Sequence, residues 1–277
     1  MFFKIKIIYF LIKVKLEKLT GLYSSKWYKK INTFFFLKNL KSSKFYEFFN
    51  VYSSNFFELP IINKSLFMEN FTVIIPVHNL ERPGFLSTAV ISILDQSRAP
   101  NEVIIVIDGP IGEKLNDIIE KLTKKEVIVI RLEKCFGPGP ARHAGILRST
   151  NSIIALMDSD DISRSYRFEK QLDILEKENI DIVGGWIEEF NIDEGDLNKL
   201  RTTPERHEKI VDISKWRMPV NHVTLVFKKE AYLSIGGYKS MRYAEDFDLI
   251  TRMLNSGLKF YNIQLSLIHI SEPTRPY

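Results

Sequence analysis

The sequence predicts an α/β fold, a mostly parallel sheet flanked by helices, with a basic, aromatic extension in front of it. Three observations carry this expectation. Short β-branched apolar runs recur from Phe71 onward, segments with helical apolar spacing separate them, and polar or Gly/Pro breaks close them. Strands that alternate with helices imply crossover connections and a sheet covered on both faces.

FTVIIPV (71–77) is an apolar run of the kind that forms a buried parallel strand, and Pro76 turns the chain out of the ladder. Leu86, Ala89, Val90, Ile93 and Leu94 then predict a helix over about 85–96. EVIIVID (102–108) is a second strand, closed by Gly109-Pro110. Residues 112–124 follow as a helix with Leu115, Ile118, Ile119 and Leu122 on one face. VIVIRL (127–132) is a third strand. The Gly137–Pro140 loop leads into a helix over 141–149, and SIIALMD (152–158) is a fourth strand. A further helix is expected from about Arg164, and Phe247, Ile250 and Leu254 mark another.

The 277 residues are 45% hydrophobic and 26% charged, which excludes a disordered chain. The single cysteine, Cys135, excludes an internal disulfide and a cysteine-built zinc site. Residues 1–50 carry eleven Lys against two Glu, a net of +9, so a chain of net +5 leaves −4 for residues 51–277. Half of the aromatics, 17 of 34, lie in the first 57 positions. Lysines beside Trp, Tyr and Phe suit peripheral contact with a membrane surface through residues 1–57, at about 1 kcal/mol per basic residue. The alternative is a helical extension packed on the body. The longest unbroken apolar run there, Ile7–Ile12, is too short to span a bilayer. Nucleic-acid binding is not expected, since no Arg precedes Arg82.

In an α/β sheet, ligands bind beyond the carboxyl ends of the strands. The polar residues there are Asn79, Asp108 and Asp158-Ser159-Asp160-Asp161. Two carboxylates two residues apart can hold a hard divalent cation that keeps positions open for phosphate oxygens. The plain alternative is an acidic turn capping the next helix. Asp108 could accept from a base or ribose, or simply form an Asp-Gly turn. Arg142 and the helix N-terminus beside it could meet phosphate, or Arg142 could be a surface residue. Glu245-Asp246 open a helix, where the macrodipole alone favours acids; a carboxylate in a pocket can also serve as general base. GxxxxGK[ST], HExxH and GxSxG are all absent, and Gly137-Pro-Gly-Pro-Ala-Arg142 departs from GxGxxG at its third glycine.

Taken in order, VIIPVHN (73–79), EVIIVIDGP (102–110), GPGPARHAG (137–145), MDSDDISRSYRFEKQ (157–171), DIVGG (181–185), NHVTLVFKK (221–229), GGY (236–238) and EDFDLITRM (245–253) resemble the family 2 glycosyltransferases of the GT-A fold. The wording DGP, DSDDIS…RFEKQ and IDIVGG is similar to bacterial exopolysaccharide transferases of the amylovoran type. The resemblance implies an inverting, metal-dependent transfer of a sugar from a nucleotide donor, a UDP-sugar foremost, to a hydroxyl of a glycan or lipid-linked acceptor. It implies Mn2+ or Mg2+ held by Asp158 and Asp160, and donor contacts from Pro76, Val77, Asn79, Asp108, Arg142 and Asp158. Asp246 becomes the base, with Glu245 beside it, in surface polysaccharide synthesis at the cytoplasmic face of the plasma membrane. The competing readings are a nucleotidyltransferase that makes a nucleotide sugar and a non-catalytic, membrane-associated sugar-binding protein. Ile107, His143 and Ile250 depart from the residues frequent in relatives. The implied organisation is an extension over 1–66, a GT-A domain over 67–264 and a tail over 265–277. The tail, LSLIHISEPTRPY, resembles translated sequencing-adapter sequence; if it is an artefact, the natural C-terminus is missing.

Overall fold

A computed structural model describes residues 70–123, 127–177, 179–190, 197, 199–241 and 243–271. The extension over 1–66, and with it the membrane expectation for residues 1–57, lies outside the described residues. Among the described residues, no helix is long and apolar enough to cross a membrane.

The predicted alternation is present. β1 (Phe71–Val77) is followed by α1 (Pro83–Leu94), β2 (Glu102–Ile107), α2 (Glu113–Thr123), β3 (Val127–Arg131), α3 (Pro138–Arg148) and β4 (Ile153–Leu156). α3 begins three residues before the expected start, inside the Gly/Pro stretch. Proline needs no hydrogen-bonding N–H in a first helical turn, so Pro138 and Pro140 begin the helix instead of delaying it. A two-residue strand, β5 (Ile162–Ser163), stands where a helix was expected from Arg164, and α4 (Arg167–Lys177) starts after it. The chain continues through β6 (Ile182–Phe190), β7 (Lys199–Arg201), α5 (His207–Ser214), a 3-10 turn (His222–Thr224), β8 (Val226–Lys228), α6 (Lys229–Ser234), α7 (Glu245–Asn255) and β9 (Phe260–Ser271).

The strands form one sheet in the order β3-β2-β1-β4-β8-β6-β9-β5, with β7 paired to β6. The four strands legible in sequence are its parallel block, and β8 then pairs antiparallel with both β4 and β6. β9 pairs parallel with β6 and runs past residue 264, the expected end of the domain, because the LSLIHIS run continues the pairing with β6, pairs with β5 and buries Leu267, Ile268 and His269.

Alternation along the strands divides the core into two. Val73, Ile75, Val103 and Ile105 face α1, α2 and α4 with Leu86, Ile93, Ile119 and Leu172. Ile74, Ile104, Val106 and Ile154 face the other way, with Ala141, Ile146, Leu249 and Met253. α3 lies flush on this second face at Gly145. A Cβ there would stand 2.8 Å from Ile74 Cγ2 and 2.9 Å from Val106 Cγ2. Gly145→Ala is therefore expected to cost about 1–3 kcal/mol by overpacking, read as a lower urea midpoint with an unchanged slope. Wild-type stability in that variant would show that α3 does not press on the sheet.

Candidate active site

β2, β1 and β4 are adjacent and parallel, so their carboxyl ends open on one edge of the sheet. Pro76, half-buried, and Val77, buried, finish β1, with exposed Asn79 just beyond. Asp108 follows β2, and its amide donates to Val77 O at 2.8 Å. The Asp158–Asp161 turn follows β4, where Met157 N still donates to Ile74 O. The expected donor and metal residues thus share an edge.

Asp108 is buried, and its carboxylate is turned onto the next loop. Phe136 N and Gly137 N donate to it at 2.7 and 2.8 Å, and Cys135 Sγ lies 3.2 Å away. The loop passes so close that a Cβ on Gly109 would stand 2.7 Å from Cys135 N. Gly109 also holds φ +89°, which side chains disfavour. The carboxylate pushes the Cys135 thiol above its ordinary range. In this structure Asp108 anchors the segment that starts α3.

Arg142, one turn into α3, joins the two acidic sites. It is 6% exposed, donates to Asp158 Oδ1 at 2.6 Å and faces Glu245 Oε1 at 3.8 Å. Its Nε is buried without a hydrogen-bond partner among the described residues. Burial disfavours its charge, but Asp158, Tyr238 and Glu245 outweigh that and hold the guanidinium protonated. Burial likewise opposes ionisation of Asp158, and Arg142 overcomes it, so the carboxyl titrates below its ordinary value. Gly139 leaves room for the far side: a Cβ on it would stand 3.0 Å from Glu245 Cγ and 3.6 Å from a Tyr238 ring carbon.

Glu245 and Asp246 open α7 as expected, after Ala244 in the left-handed region at φ 57°. That strain, about 1–2 kcal/mol for a residue with a Cβ, sits beside the proposed base. Arg252 on the same helix clasps the Gly236-Gly237-Tyr238 turn by donating to Ile235 O at 2.8 Å and Gly237 O at 2.7 Å. Asp248 holds its other face.

Ser159 of the acidic turn has a partner across the site, and three further residues there, Arg167, Gln171 and His222, were not singled out from sequence as site residues. Ser159 donates to Glu81, tying the β1–α1 loop to the acidic turn. Arg167, fully buried, donates to Leu156 O at 2.7 Å and Val223 O at 3.2 Å, joining the end of β4 to the 3-10 turn. Burial pushes its guanidinium down to about 9. Gln171 continues this network to Val183 O and Thr224 O. His222 opens the 3-10 turn, its Nε2 2.6 Å from Tyr238 Oη. Burial and Arg142 push this imidazole down to about 4, while Asp158 and Asp246 both pull it upward. Asp246 therefore acts on the same ring as Asp158. The available signal was position: His222 stands just before the buried run of β8, and the other polar site residues also border buried strands.

Among the described residues, no three His, Cys, Asp or Glu side chains form a metal cage. Two carboxylates, Asp158 and half-buried Asp160, stand at the strand ends. That oxygen-only pair fits Mg2+ or Mn2+ completing its shell with diphosphate oxygens and water.

The model of the family "Glycosyl transferase family 2" matches residues 72–236. An Escherichia coli protein named UDP-Gal:alpha-D-GlcNAc-diphosphoundecaprenol beta-1,3-galactosyltransferase is 35% identical over 200 residues, 72% of each chain. Amylovoran biosynthesis glycosyltransferase AmsE from Erwinia amylovora is 32% identical over 195 residues, covering 70% of this chain and 73% of that one. Among solved structures, S. aureus TarS 1-349 in complex with UDP-GlcNAc superposes with a TM-score of 0.61 at 17% identity, over 75% of this chain and 60% of that one. That likeness assigns the GT-A fold.

Proposed function

The chain belongs to glycosyl transferase family 2, and on that premise we propose that it moves a sugar from a nucleotide donor to an acceptor hydroxyl with inversion, in bacterial surface polysaccharide synthesis. The observation that carries this reading is Arg142 between Asp158 and Glu245, which gathers the turn after β4 and the start of α7 into one charged cluster. Asp246 takes the proton of the acceptor hydroxyl as that oxygen bonds to the anomeric carbon. The bond from this carbon to the diphosphate oxygen breaks on the opposite face, and nucleoside diphosphate leaves. A hydroxyl attacks poorly unless its proton is removed in the transition state, a contribution typically of about 10²–10⁴-fold. Asp158 and Asp160 are the residues to hold Mg2+ or Mn2+, which when bound offsets charge building on the diphosphate. Pro76, Val77 and Asn79 line the edge for the nucleotide. Asp108 serves it by holding the 135–137 segment in place.

The names of the relatives favour a UDP-sugar donor and a lipid-linked acceptor; the place proposed for the work is the cytoplasmic face of the membrane. The experiment is release of nucleoside diphosphate from UDP-galactose, UDP-N-acetylglucosamine and other common donors, with and without Mn2+. Metal-dependent release is expected. Asp160→Ala is expected to weaken Mn2+-dependent UDP binding by about tenfold to a hundredfold while leaving metal-free binding unchanged, since one charge-assisted ligand is worth about 1.5–3 kcal/mol. Turnover in EDTA equal to that in Mn2+ would remove the metal from the mechanism. No turnover with any donor would leave the non-catalytic reading standing.

A further inference from the structure

His222 is built into the site, yet the mechanism above does not use it. The 3-10 turn that carries it is pinned on several sides. Asn221 donates to Gly185 O at 2.8 Å and Arg201 O at 3.1 Å, Thr224 Oγ1 donates to Asn221 O, and Arg167 donates to Val223 O. The ring meets Tyr238 edge-on, with centroids 5.9 Å apart. Tyr238 is itself held: its amide donates to Tyr232 Oη at 3.0 Å, and its ring lies beside Gly139 next to Glu245. Burial pushes the Tyr238 phenol far above its ordinary range, so it stays a donor. Its hydroxyl meets no other acceptor among the described residues, and the tautomer that satisfies its proton is the one in which it donates to Nε2 of His222. That assignment leaves the ring proton on Nδ1, which has no hydrogen bond among the described residues, on a side chain that is only partly buried.

We propose that His222 is a donor-sugar contact, in which Nδ1–H donates a hydrogen bond to a hydroxyl of the sugar being transferred and Tyr238 is the residue that positions the ring. This rests on the glycosyltransferase reading. Asp158 and Asp160 belong to the diphosphate side and Asp246 to the acceptor side; Arg142 bridges Asp158 to Glu245, and Tyr238, the partner of His222, lies beside Glu245 at Gly139. What lies between the two sides in a bound nucleotide sugar is the sugar. A neutral, oriented N–H suits an uncharged polyol, and a site built to hydrogen-bond a hydroxyl discriminates against sugars that lack it.

The test is a binding comparison by calorimetry in Mn2+, using UDP, GDP and dTDP against UDP-galactose, UDP-N-acetylglucosamine, GDP-mannose and dTDP-rhamnose. For the sugar nucleotide that wild type binds, His222→Ala is expected to weaken binding about fivefold to tenfold, the worth of one hydrogen bond. Binding of the bare diphosphate should stay within about twofold, which also reports that the variant is folded. His222→Asn puts an amide nitrogen where Nδ1 stood and is expected to recover most of the loss. His222→Gln reaches the Nε2 position instead and is expected not to. Tyr238→Phe should weaken the sugar nucleotide by a smaller factor and spare the diphosphate. Equal weakening of diphosphate and sugar nucleotide, or no change in either, overturns the assignment of His222. Wild type that binds none of these compounds overturns the glycosyltransferase reading itself, and the assignment falls with it.

Discussion

Asp246→Asn is expected to lower kcat by about 10³-fold, within the range for a lost general base, with KM for the donor changed less than about threefold. The substitution keeps size and shape. The Phe247 amide that donates to Asp246 Oδ1 at 2.7 Å finds the same acceptor in Asn, so the first turn of α7 is undisturbed. What disappears is a group able to take a proton. Donor binding has no part in that transfer, which is why the loss should fall on turnover. Glu245→Gln provides the contrast. Glu245 packs over Gly139 and faces Arg142, so its loss should act through position and cost less in kcat. Measurement of kcat and KM separately, on pure donor and a lipid-linked saccharide acceptor, decides the matter. An Asp246→Asn enzyme that retains a tenth of wild-type turnover would move the base elsewhere.

Arg142→Met is expected to cost about 1–3 kcal/mol of folding stability, since removing the buried guanidinium leaves Glu245 and the partly exposed Asp158 uncompensated. The guanidinium is 6% exposed and answers both Asp158 and Glu245. Methionine fills the volume of the stem but leaves the two acids that Arg142 faced without it. The loss should appear as a lower urea midpoint. Mn2+-dependent UDP binding should weaken as well, because Asp158 loses the partner that orients it. Adding Glu245→Gln to Arg142→Met removes one of the two stranded charges and should restore part of the stability. An Arg142→Met protein as stable as wild type would mean that Arg142 does not bind the two acidic sites together.

Much of this was legible from local pattern. The runs at 71–77, 102–108, 127–132 and 152–158 announced the parallel block because burial on both faces demands uninterrupted apolar residues. The ends of those runs announced the site edge, because charged residues gather where the chain leaves the buried part of the sheet. Helix faces were equally plain: Leu86, Ala89, Val90 and Ile93 are the residues α1 buries. Less was visible at the second half of the sheet. β8 has three residues and β5 two, too few for periodicity to register. Arg167 looked like a charged residue at the start of a helix, and nothing local indicated that it would be fully buried against the carbonyls of Leu156 and Val223.

The chain order of the four parallel strands and the helices between them, the expectation of a site at their carboxyl ends, and the acids after β4 and at the start of α7 came from the sequence alone. These properties follow from side-chain spacing along a single segment. Only the tertiary structure decided what each charged group faces. It turned Asp108 onto the 135–137 loop, set Arg142 between Asp158 and Glu245, and brought His222 against Tyr238. Such pairings join segments far apart in the chain. Their energies depend on distance and on exclusion of water, and both are settled only when the crossovers have closed over the sheet.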